Sequence, residues 1–260
     1  MNIKLVIASL FVLTIISAVV GVAIYYESLS PIRLVSRCSK VGDVLDKVTY
    51  LEYNVSDMQG NKYVIKVDNN PSTRSGTVEM YSGGNLVMKV EYKYEDRLKY
   101  IKITYQNGTN KTYQGLDASK YEEPFYTSIN LQYNQSSGAA NISVFPGVGP
   151  LYLPCFVGKA AQINWKYYAS LVKPRNLPYG LVDVSINFGK TKYKGQEINA
   201  VVVQITRRGA IQNKWILPVY NLALADMNGV PVAVSMSVDV LTPQGGGTLI
   251  FHVLDLKTAG

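Results

Sequence analysis

The sequence is poor in the residues that carry most enzyme chemistry. It contains one histidine, His252, and two cysteines, Cys38 and Cys155, in 260 residues. A zinc site needs three or four His or Cys ligands, and a serine hydrolase needs a histidine beside its nucleophile. The chain also has no G-x-S-x-G elbow and no glycine-rich phosphate loop ahead of a helix. We therefore predict no catalytic residue, no metal site and no cofactor.

Charge is scarce as well, with Asp, Glu, Lys and Arg making up 17% of the chain. The formal net charge is +8, but the basic residues are scattered over alternating strand positions. Proteins that bind nucleic acid gather Lys and Arg in a patch or stripe, so we predict a solvated basic face and no nucleic-acid partner. The 18 carboxylates leave one catalytic alternative open. A glycosidase would bring two of them to about 5 to 9.5 Å from each other.

What the chain does have is one unbroken apolar run near its start, from Leu5 to Tyr26. Twenty-two residues in a helix span about 33 Å, enough to cross a bilayer, whereas the apolar part of a signal peptide has about 7 to 15 residues. We predict a transmembrane signal anchor over residues 1–27 and a stalk over 28–44. The alternative is a long cleaved signal peptide, because Gly21 and Ala23 form a small-x-small pair.

Two further features predict that the rest of the chain lies on the extracytoplasmic side of the membrane. Two cysteines in an exported chain are most simply one disulfide, Cys38 to Cys155, worth about 4 to 5 kcal/mol on chain-entropy arguments. A lipidated Cys38 and two separate buried thiols are the alternatives. Five N-x-[ST] sequons lie in or beside turn-like stretches, where a glycan can project into solvent. They place predicted glycosylation sites at Asn54, Asn107, Asn110, Asn134 and Asn141.

From Tyr50 onward, apolar and polar residues alternate with period two, and turn residues recur about every ten positions. In the segment 86–94, Lys89, Glu91 and Lys93 alternate with Val90 and its apolar neighbours, which predicts a strand with one solvent-exposed and one buried face. Charges of opposite sign on neighbouring strands can then pair. The pattern predicts an all-β fold over residues 45–260, an antiparallel meander that forms a curved sheet, half-barrel or sandwich. The strands are predicted at 49–56, 62–68, 77–82, 86–94, 97–106, 181–188, 197–206, 213–220, 230–241 and 248–256.

Turn residues mark the ends of these strands. Glycine-containing pairs and triplets are typical of hairpins. Asp226-Met227-Asn228 resembles the start of a calcium loop, but it lacks the glycine and distal glutamate of that motif, so a turn is the better interpretation. The predicted turns include Gly83-Gly84-Asn85, Lys194-Gly195-Gln196, Arg207-Arg208-Gly209, Asp226-Met227-Asn228-Gly229 and Gly245-Gly246-Gly247.

The middle of the chain differs in composition, because residues 124–158 contain no charge and are rich in Gly, Pro, Ser and Asn. We interpret this segment as a crossover that joins two halves, 45–123 and 159–260, or as an exposed contact surface. It holds a predicted strand from Tyr126 to Tyr133. The three prolines and two glycines between Phe145 and Cys155 predict neither a helix nor an interior strand there. A short helix is predicted between Gly158 and Val172.

The single histidine lies in an apolar predicted strand near the carboxyl end. Alternation places His252 on the face opposite Phe251 and Val253, and an ordinary strand histidine explains it better than a ligand or a base. The more apolar strands of the second half are expected to form the core wall.

The general style of the chain resembles the membrane-anchored surface proteins of thermoacidophilic archaea. The resemblance rests on the short MNIK start, an anchor ending in VVGVAIYY, 20 tyrosines, Asn-rich turns and dense sequons. It implies a single-pass protein of the plasma membrane with an extracytoplasmic carboxyl-terminal domain, or a secreted protein if the first segment is cleaved.

A second resemblance concerns topology. Consecutive hairpins with a late Trp215-Ile216-Leu217-Pro218 segment, followed by Asp226, Gly229 and Pro231, are similar to half-barrel lipoprotein carriers. Such proteins wrap a curved antiparallel sheet around an apolar ligand. The resemblance implies a cavity lined by residues such as Val201, Val203, Val232 and Val234.

Together these observations predict a membrane-anchored glycoprotein that acts by binding or assembly at the cell surface, without catalysis. Its expected partners are the membrane, through the amino-terminal helix, and another surface protein or further copies of itself. A fibre subunit that donates a strand such as Ser28 to Cys38 is a variant of this prediction. The alternative is a carrier or binding protein for a lipid or another apolar ligand.

Overall fold

The computed structural model of the protein describes residues 41–134, 139–155, 181–208, 217–242 and 245–259. The predicted anchor, Cys38 and the predicted helix between Gly158 and Val172 lie outside these ranges. Within them, no helix is both long enough and apolar enough to cross a bilayer. Residues of the predicted stalk that are described form a short helix, α1 (Val41–Leu45), just ahead of the first strand.

Eleven strands form one sheet in which every pairing is antiparallel, with the order β6-β5-β4-β3-β2-β1-β13-β12-β11-β10-β9. Among the strands that the structure describes, β7 and β8 pair with each other in a separate two-stranded sheet. The strands are β1 (Val48–Ser56), β2 (Lys62–Asn70), β3 (Ser75–Ser82), β4 (Asn85–Tyr94), β5 (Leu98–Tyr105), β6 (Asn110–Gln114), β7 (Ile129–Asn134), β8 (Ala139–Val144), β9 (Leu181–Tyr193), β10 (Gln196–Arg208), β11 (Leu217–Met227), β12 (Val230–Thr242) and β13 (Gly245–Thr258).

The predicted all-β class and the large curved antiparallel sheet are confirmed, and the sheet is not closed into a barrel. Strands from both predicted halves, 45–123 and 159–260, belong to the one sheet. The first and last strands, β1 and β13, pair at its centre, and β6 and β9 form its two edges. The short strand β6 was not predicted, because its five mostly polar residues, three of which form a sequon, give little period-two signal.

Alternation divides the sheet into a polar and an apolar face, as predicted. On β4, Val90, Tyr92 and Tyr94 are buried, whereas the side chains of Lys89, Glu91 and Lys93 face the other way and remain partly or fully exposed. Burial of the apolar side chains removes their surface from water and is the main favourable term in folding. The resulting core runs along the apolar face of the sheet and also contains residues of the crossover.

Three of the predicted turns are confirmed as two-residue hairpin loops. They are Gly83-Gly84, Lys194-Gly195 and Asn228-Gly229, and both residues of each have positive φ. That geometry matches the twist of the flanking strands and favours Gly and Asn. The side chain of Asp226 accepts a hydrogen bond from the Gly229 amide at 2.6 Å, which agrees with a turn rather than a calcium loop.

Two predicted turns are wrong in part. Gly245 to Gly247 pair with Thr242 to Val240 and therefore belong to β13. Arg207 and Arg208 pair with β9 and belong to β10. In both cases the strand pairing continues through residues that are common in turns, because glycine and arginine each tolerate extended backbone.

The chain leaves one edge of the sheet at β6 and returns at the other edge as β9, so it must cross the molecule in between. Two short helices begin this crossover, α2 (Leu116–Ser119) and α3 (Glu122–Thr127). The hairpin of β7 and β8 follows, and then a helical segment at residues 149–155.

The crossover contains two corrections to the sequence predictions. The strand predicted from Tyr126 begins only at Ile129, because Tyr126 lies in α3 and Ser128 ends that helix in the left-handed conformation, at φ 60°. The helical segment at 149–155 was predicted to be irregular. Its first proline, Pro150, lies in the first turn, where a missing amide proton costs no helical hydrogen bond.

A chain of hydrogen bonds fixes the crossover to the central strand of the sheet. The Gly149 amide donates to Ser128 Oγ at 2.8 Å, and Tyr53 Oη donates to the Gly147 carbonyl at 2.9 Å. Tyr53 has one proton to give, so Ser128 Oγ must donate across the 2.8 Å that separates it from Tyr53 Oη. Both side chains have 0% exposure, and this relay satisfies their polar atoms away from water.

Aromatic packing and one glycine bring the crossover close to the strands. The Phe125 ring lies 4.8 Å from the Tyr92 ring of β4, and the Tyr121 ring lies 4.5 Å from the Tyr113 ring of β6. A Cβ atom at Gly147 would stand 2.1 Å from the Phe125 carbonyl oxygen, so only glycine fits there. The crossover thus covers the apolar face of the β1–β6 half.

The tip of the β9–β10 hairpin folds toward strands that are not its neighbours in the sheet. Lys194 forms an ion pair with Asp255 on β13, and the Leu256 amide donates to Tyr193 Oη at 3.2 Å. Thr191 Oγ1 lies 3.4 Å from Ser235 Oγ on β12. The hairpin tip therefore ties the β9 edge back onto β12 and β13.

We expect a Tyr53→Phe substitution to lower the free energy of unfolding by about 1 to 3 kcal/mol, because it leaves buried groups of Ser128 and Gly147 without partners. Urea unfolding followed by fluorescence measures the change. Tyr81→Phe is the matched control, since it removes a phenolic hydroxyl from the polar face. Equal losses in the two variants would contradict the structural role of the relay.

Candidate functional site

The one histidine is placed as predicted. His252 is half-buried on β13, on the polar face, whereas Phe251 and Val253 are buried on the other. Its cross-strand neighbours are Asn54 on β1 and Ser235 on β12. Among the described residues, no three His, Cys, Asp or Glu side chains lie close enough to hold a metal ion.

Charged residues on the polar face pair across neighbouring strands, as predicted. Three ion pairs step from strand to strand, Glu52–Lys66 at 3.9 Å, Glu79–Lys89 at 3.1 Å and Glu91–Lys102 at 3.6 Å. Tyrosine hydroxyls reinforce two of the carboxylates, because Tyr50 Oη donates to Glu52 and Tyr81 Oη donates to Glu79, each at 2.6 Å. In these three pairs the charges compensate one another locally.

At one end of the polar face, a trough of about 710 Å³ crosses strands β2 to β6. We call it the hydroxyl trough. Its side chains form two cross-strand rows that share the polar face, and nearly all of them carry hydrogen-bonding groups. The first row is Asp68, Thr77 and Glu91, and the second is Asn70, Ser75, Lys93, Tyr100 and Gln114.

The floor of the hydroxyl trough is shaped by Gly76. A Cβ atom at this position would lie 2.6 Å from Tyr92 Oη and 2.4 Å from the Asp68 carbonyl oxygen, so a larger residue would collide with the floor. The Tyr92 hydroxyl donates to Asn69 Oδ1 at 2.9 Å, and burial raises the pKa of Tyr92 well above its usual range. Tyr92 is therefore a neutral donor at any physiological pH.

Asn69 holds this floor in place. Its Nδ2 donates to the carbonyls of Leu45 and Val48, both at 2.7 Å, so its amide links β2 to α1 and to the start of β1. A second contact supports the same corner, because Tyr94 Oη donates to Asp46 at 3.0 Å. Burial raises the pKa of Tyr94 to about 12, so this donor also remains protonated. The trough thus rests on a rigid, fully bonded base.

A second trough of about 850 Å³ lies on the same face and is lined by residues of β13, β1, β2 and β3 and the turn Gly83-Gly84. We call it the Asn54 trough. Asn54 stands between His252 on one side and Val64 on the other. Ile250 also lines it, with 52% of its surface exposed, which is high for an isoleucine in a central strand. No sequence pattern predicted either trough, because each residue is ordinary until the register brings the rows together.

The other predicted site residues are dispersed. Asn107 is exposed in the β5–β6 turn, and Asn110 is exposed at the first residue of β6. Asn134 and Asn141 lie in β7 and β8, but their side chains are outside the described part of the structure. Cys155 is buried at 2% exposure, whereas Cys38 is outside the described ranges, so the disulfide stays a prediction.

The residues named for an apolar cavity are packed rather than open. Val201, Val203, Val232 and Val234 are each exposed by 1% or less. No water-sized space adjoins these side chains, so the cavity expected of a carrier is not found at these four positions. On β12, Val230 to Val234 are all buried, which means that both faces of the strand are covered there.

Comparisons with known proteins give little further help. No protein-family model matches the chain, and no curated protein matches it. A similar solved structure is a DUF1329 family protein from Desulfovibrio piger, with 9% identity and a TM-score of 0.31, and the match covers 88% of this chain and 91% of that chain. So loose a superposition carries no argument, and the two resemblances of the sequence remain predictions.

We expect acid to remove one stabilising contribution of the polar face. The hydrogen bond from Tyr81, together with Lys89, holds the pKa of Glu79 below its ordinary value of 4.5. A depressed pKa in the folded state stabilises the protein above about pH 4.5 and ceases to do so as pH falls through the folded value. The difference in unfolding free energy between the wild type and Glu79→Gln should therefore shrink in acid.

Urea unfolding of both proteins between neutral and acid pH measures this difference. Glu123→Gln is the control, because Glu123 is an exposed carboxylate on α3. A difference for Glu79→Gln that is independent of pH would contradict the assigned contact.

Proposed function

We propose that the protein is a membrane-anchored extracytoplasmic glycoprotein that binds a hydroxyl-rich partner at the cell surface, without catalysis. The hydroxyl trough is the site of binding, and its ligand is a carbohydrate, either a free polysaccharide or a glycan carried by a neighbouring surface protein. The observation that carries the proposal is the two adjacent rows of hydrogen-bonding side chains, which cross five strands on a rigid base.

The chemistry of the trough suits a carbohydrate. A sugar ring offers hydroxyl groups at its edge and C–H groups on its faces. Thr77, Ser75 and Gln114 supply neutral donors and acceptors, Asp68 accepts, and Lys93 donates. Tyr100 is half-buried in the second row, between Lys93 and Gln114, and offers a ring against which a C–H face can pack. A long apolar tail would find little to bury in such a surface.

The two carboxylates of the trough offer acceptors for the hydroxyl groups of a sugar. Asp68 and Glu91 belong to β2 and β4, with Thr77 of β3 between them. Two strand spacings separate their backbones by about 9.5 Å, so the two carboxylates lie on either side of Thr77 on the same face. Glu91 also forms an ion pair with Lys102 at 3.6 Å, which holds its carboxylate in place as an acceptor.

The cellular location in the proposal comes from the sequence. The apolar run from Leu5 to Tyr26 and the five sequons support a single-pass protein of the plasma membrane whose domain is extracytoplasmic, or a secreted one if the run is removed. Within that setting the partner is another surface protein or a second copy that presents a glycan.

The carrier for an apolar ligand is the second candidate. The curved open sheet with one apolar face favours it. The packed state of Val201, Val203 and Val232 weighs against it, since a carrier needs an accessible apolar surface on that wall. Both troughs that the described residues form lie on the polar face, so binding on that face is the better supported function.

We expect the full-length protein in detergent micelles to bind at least one member of an immobilised panel of neutral oligosaccharides. Tyr100→Ala should weaken that binding about three- to tenfold, because it removes one aromatic contact. Tyr81→Ala is the matched control, a tyrosine of the same face that lines the other trough. Surface plasmon resonance measures both affinities.

Two results would contradict the proposal. Weakening by Tyr81→Ala and not by Tyr100→Ala would move the site to the Asn54 trough. Failure to bind any glycan, together with a lipid-sized adduct that organic extraction releases in native mass spectrometry, would favour the carrier.

A further inference from the structure

One of the predicted glycosylation sites lies inside a trough instead of on a turn. Asn54 is exposed on β1, a central strand of the sheet, and Ser56 completes its sequon. Its side chain projects from the polar face between His252 and Val64, at the middle of the Asn54 trough. A glycan on Asn54 would therefore begin within the trough.

The walls of this trough leave apolar surface uncovered on the otherwise polar face. Ile250 on β13 lines the trough and is 52% exposed, and Leu86, which pairs with the lining residue Tyr81 and lies beside the trough, is 41% exposed. Val64 and Tyr81 are paired neighbours on β2 and β3, so an apolar strip borders Asn54. Within the described residues, only four large apolar side chains are this exposed, and two of the four belong to this strip.

Polar groups stand at the rim of the same strip. Lys62 and Lys66 lie on β2, and Glu52 on β1 is held by Lys66 at 3.9 Å. A wall that combines an aromatic ring, aliphatic side chains and charged donors fits the C–H faces and hydroxyl edges of a sugar chain. The volume of about 850 Å³ lies within the range of about 300 to 1,000 Å³ that is usual for small-ligand sites.

We propose that the Asn54 trough is the seat of the chain's own N-linked glycan. Glycosylation joins Asn54 Nδ2 to the anomeric carbon of the sugar and breaks the bond from that carbon to the phosphate of a lipid-linked oligosaccharide donor. The lipid phosphate departs with the bonding electrons, and the amide loses one proton. The first sugars then lie against Tyr81 and Ile250 and cover them.

This glycan differs from those predicted at Asn107 and Asn110. Both of these residues are exposed at the β5–β6 hairpin, on the edge of the sheet, and Asn107 Oδ1 already accepts hydrogen bonds from Thr109. Glycans at the hairpin project into solvent and shield the β6 edge from pairing with other strands. The Asn54 glycan instead packs on the domain and acts as part of its surface.

The inference rests on the extracytoplasmic and glycosylated part of the proposed function, but it concerns a different trough from the proposed ligand site. Mass spectrometry of glycopeptides from the full-length protein, isolated from its own membrane, determines which sequons carry a glycan. Hydroxyl-radical footprinting of the same folded protein then measures how accessible Tyr81 and Ile250 are.

We expect Asn54 to be occupied and both side chains to be protected. Asn54→Gln and Ser56→Ala each destroy the sequon by a different substitution, and each should raise the labelling of Tyr81 and Ile250 several-fold. Ser56→Thr keeps the sequon and should keep the protection. Asn107→Gln is the control for the loss of a glycan elsewhere and should leave the labelling unchanged.

Each of the other outcomes contradicts either this inference alone or the proposed function as well. Glycans at Asn107 or Asn110 with a bare Asn54 would overturn this inference alone. A glycosylated Asn54 with fully labelled Tyr81 and Ile250 would show that the glycan projects away from the trough, and would overturn it too. A chain without any glycan would overturn the glycoprotein part of the proposed function as well.

Discussion

The structure depends on one topological constraint, which is that the chain enters and leaves the sheet at its centre. Because β1 and β13 are paired, strands β1 to β6 run from the centre of the sheet to one edge, and strands β9 to β13 run from the other edge back to the centre. The connection between β6 and β9 must therefore pass from one edge to the other. The hydrogen-bond relay through Tyr53 and Ser128 fixes this connection to β1, where it is surrounded by core residues. The absence of charge from residues 124–158 of this crossover is then understandable, since a charged side chain in contact with the apolar face would lose its hydration without a partner.

The position of the crossover decides which surface is left for function. It covers the apolar face of β1 to β6, so that half of the sheet presents only its polar face to solvent. On that face, oppositely charged residues of neighbouring strands neutralise one another, and the two troughs lie next to these ion pairs. The hydroxyl trough has a rigid base because Asn69 satisfies three polar groups at once, and a preorganised surface loses less freedom when it binds. The function we propose thus follows from the packing of the opposite face.

Most of the sheet could be predicted from the sequence because period-two alternation and glycine-containing turns are local signals. The strand around Val90 and the Asn228-Gly229 hairpin are examples. The short helix at residues 149–155 could not be predicted, because its first amide is held by Ser128, which is distant in sequence. Neither trough was visible either. Thr77 and Tyr100 are unremarkable strand residues, and only the pairing of five strands places them side by side. The sequence predicted the sequon at Asn54, but the pleat and the register of the strands determine that the Asn54 side chain projects into a trough.

Pairing of the first strand with the last also has a consequence for how the domain is made. The amide of Ala259 donates to the carbonyl of Lys47 at 2.8 Å, so the two ends of the domain close on each other. Contacts of this sequence separation are slow to form. During synthesis, one edge of β1 stays unpaired until almost the entire domain has been made, and a truncation that removes β13 would leave two separate half-sheets. The order of synthesis therefore makes the central strand pair the final step of assembly, and a chain released too early is exposed to association through that edge.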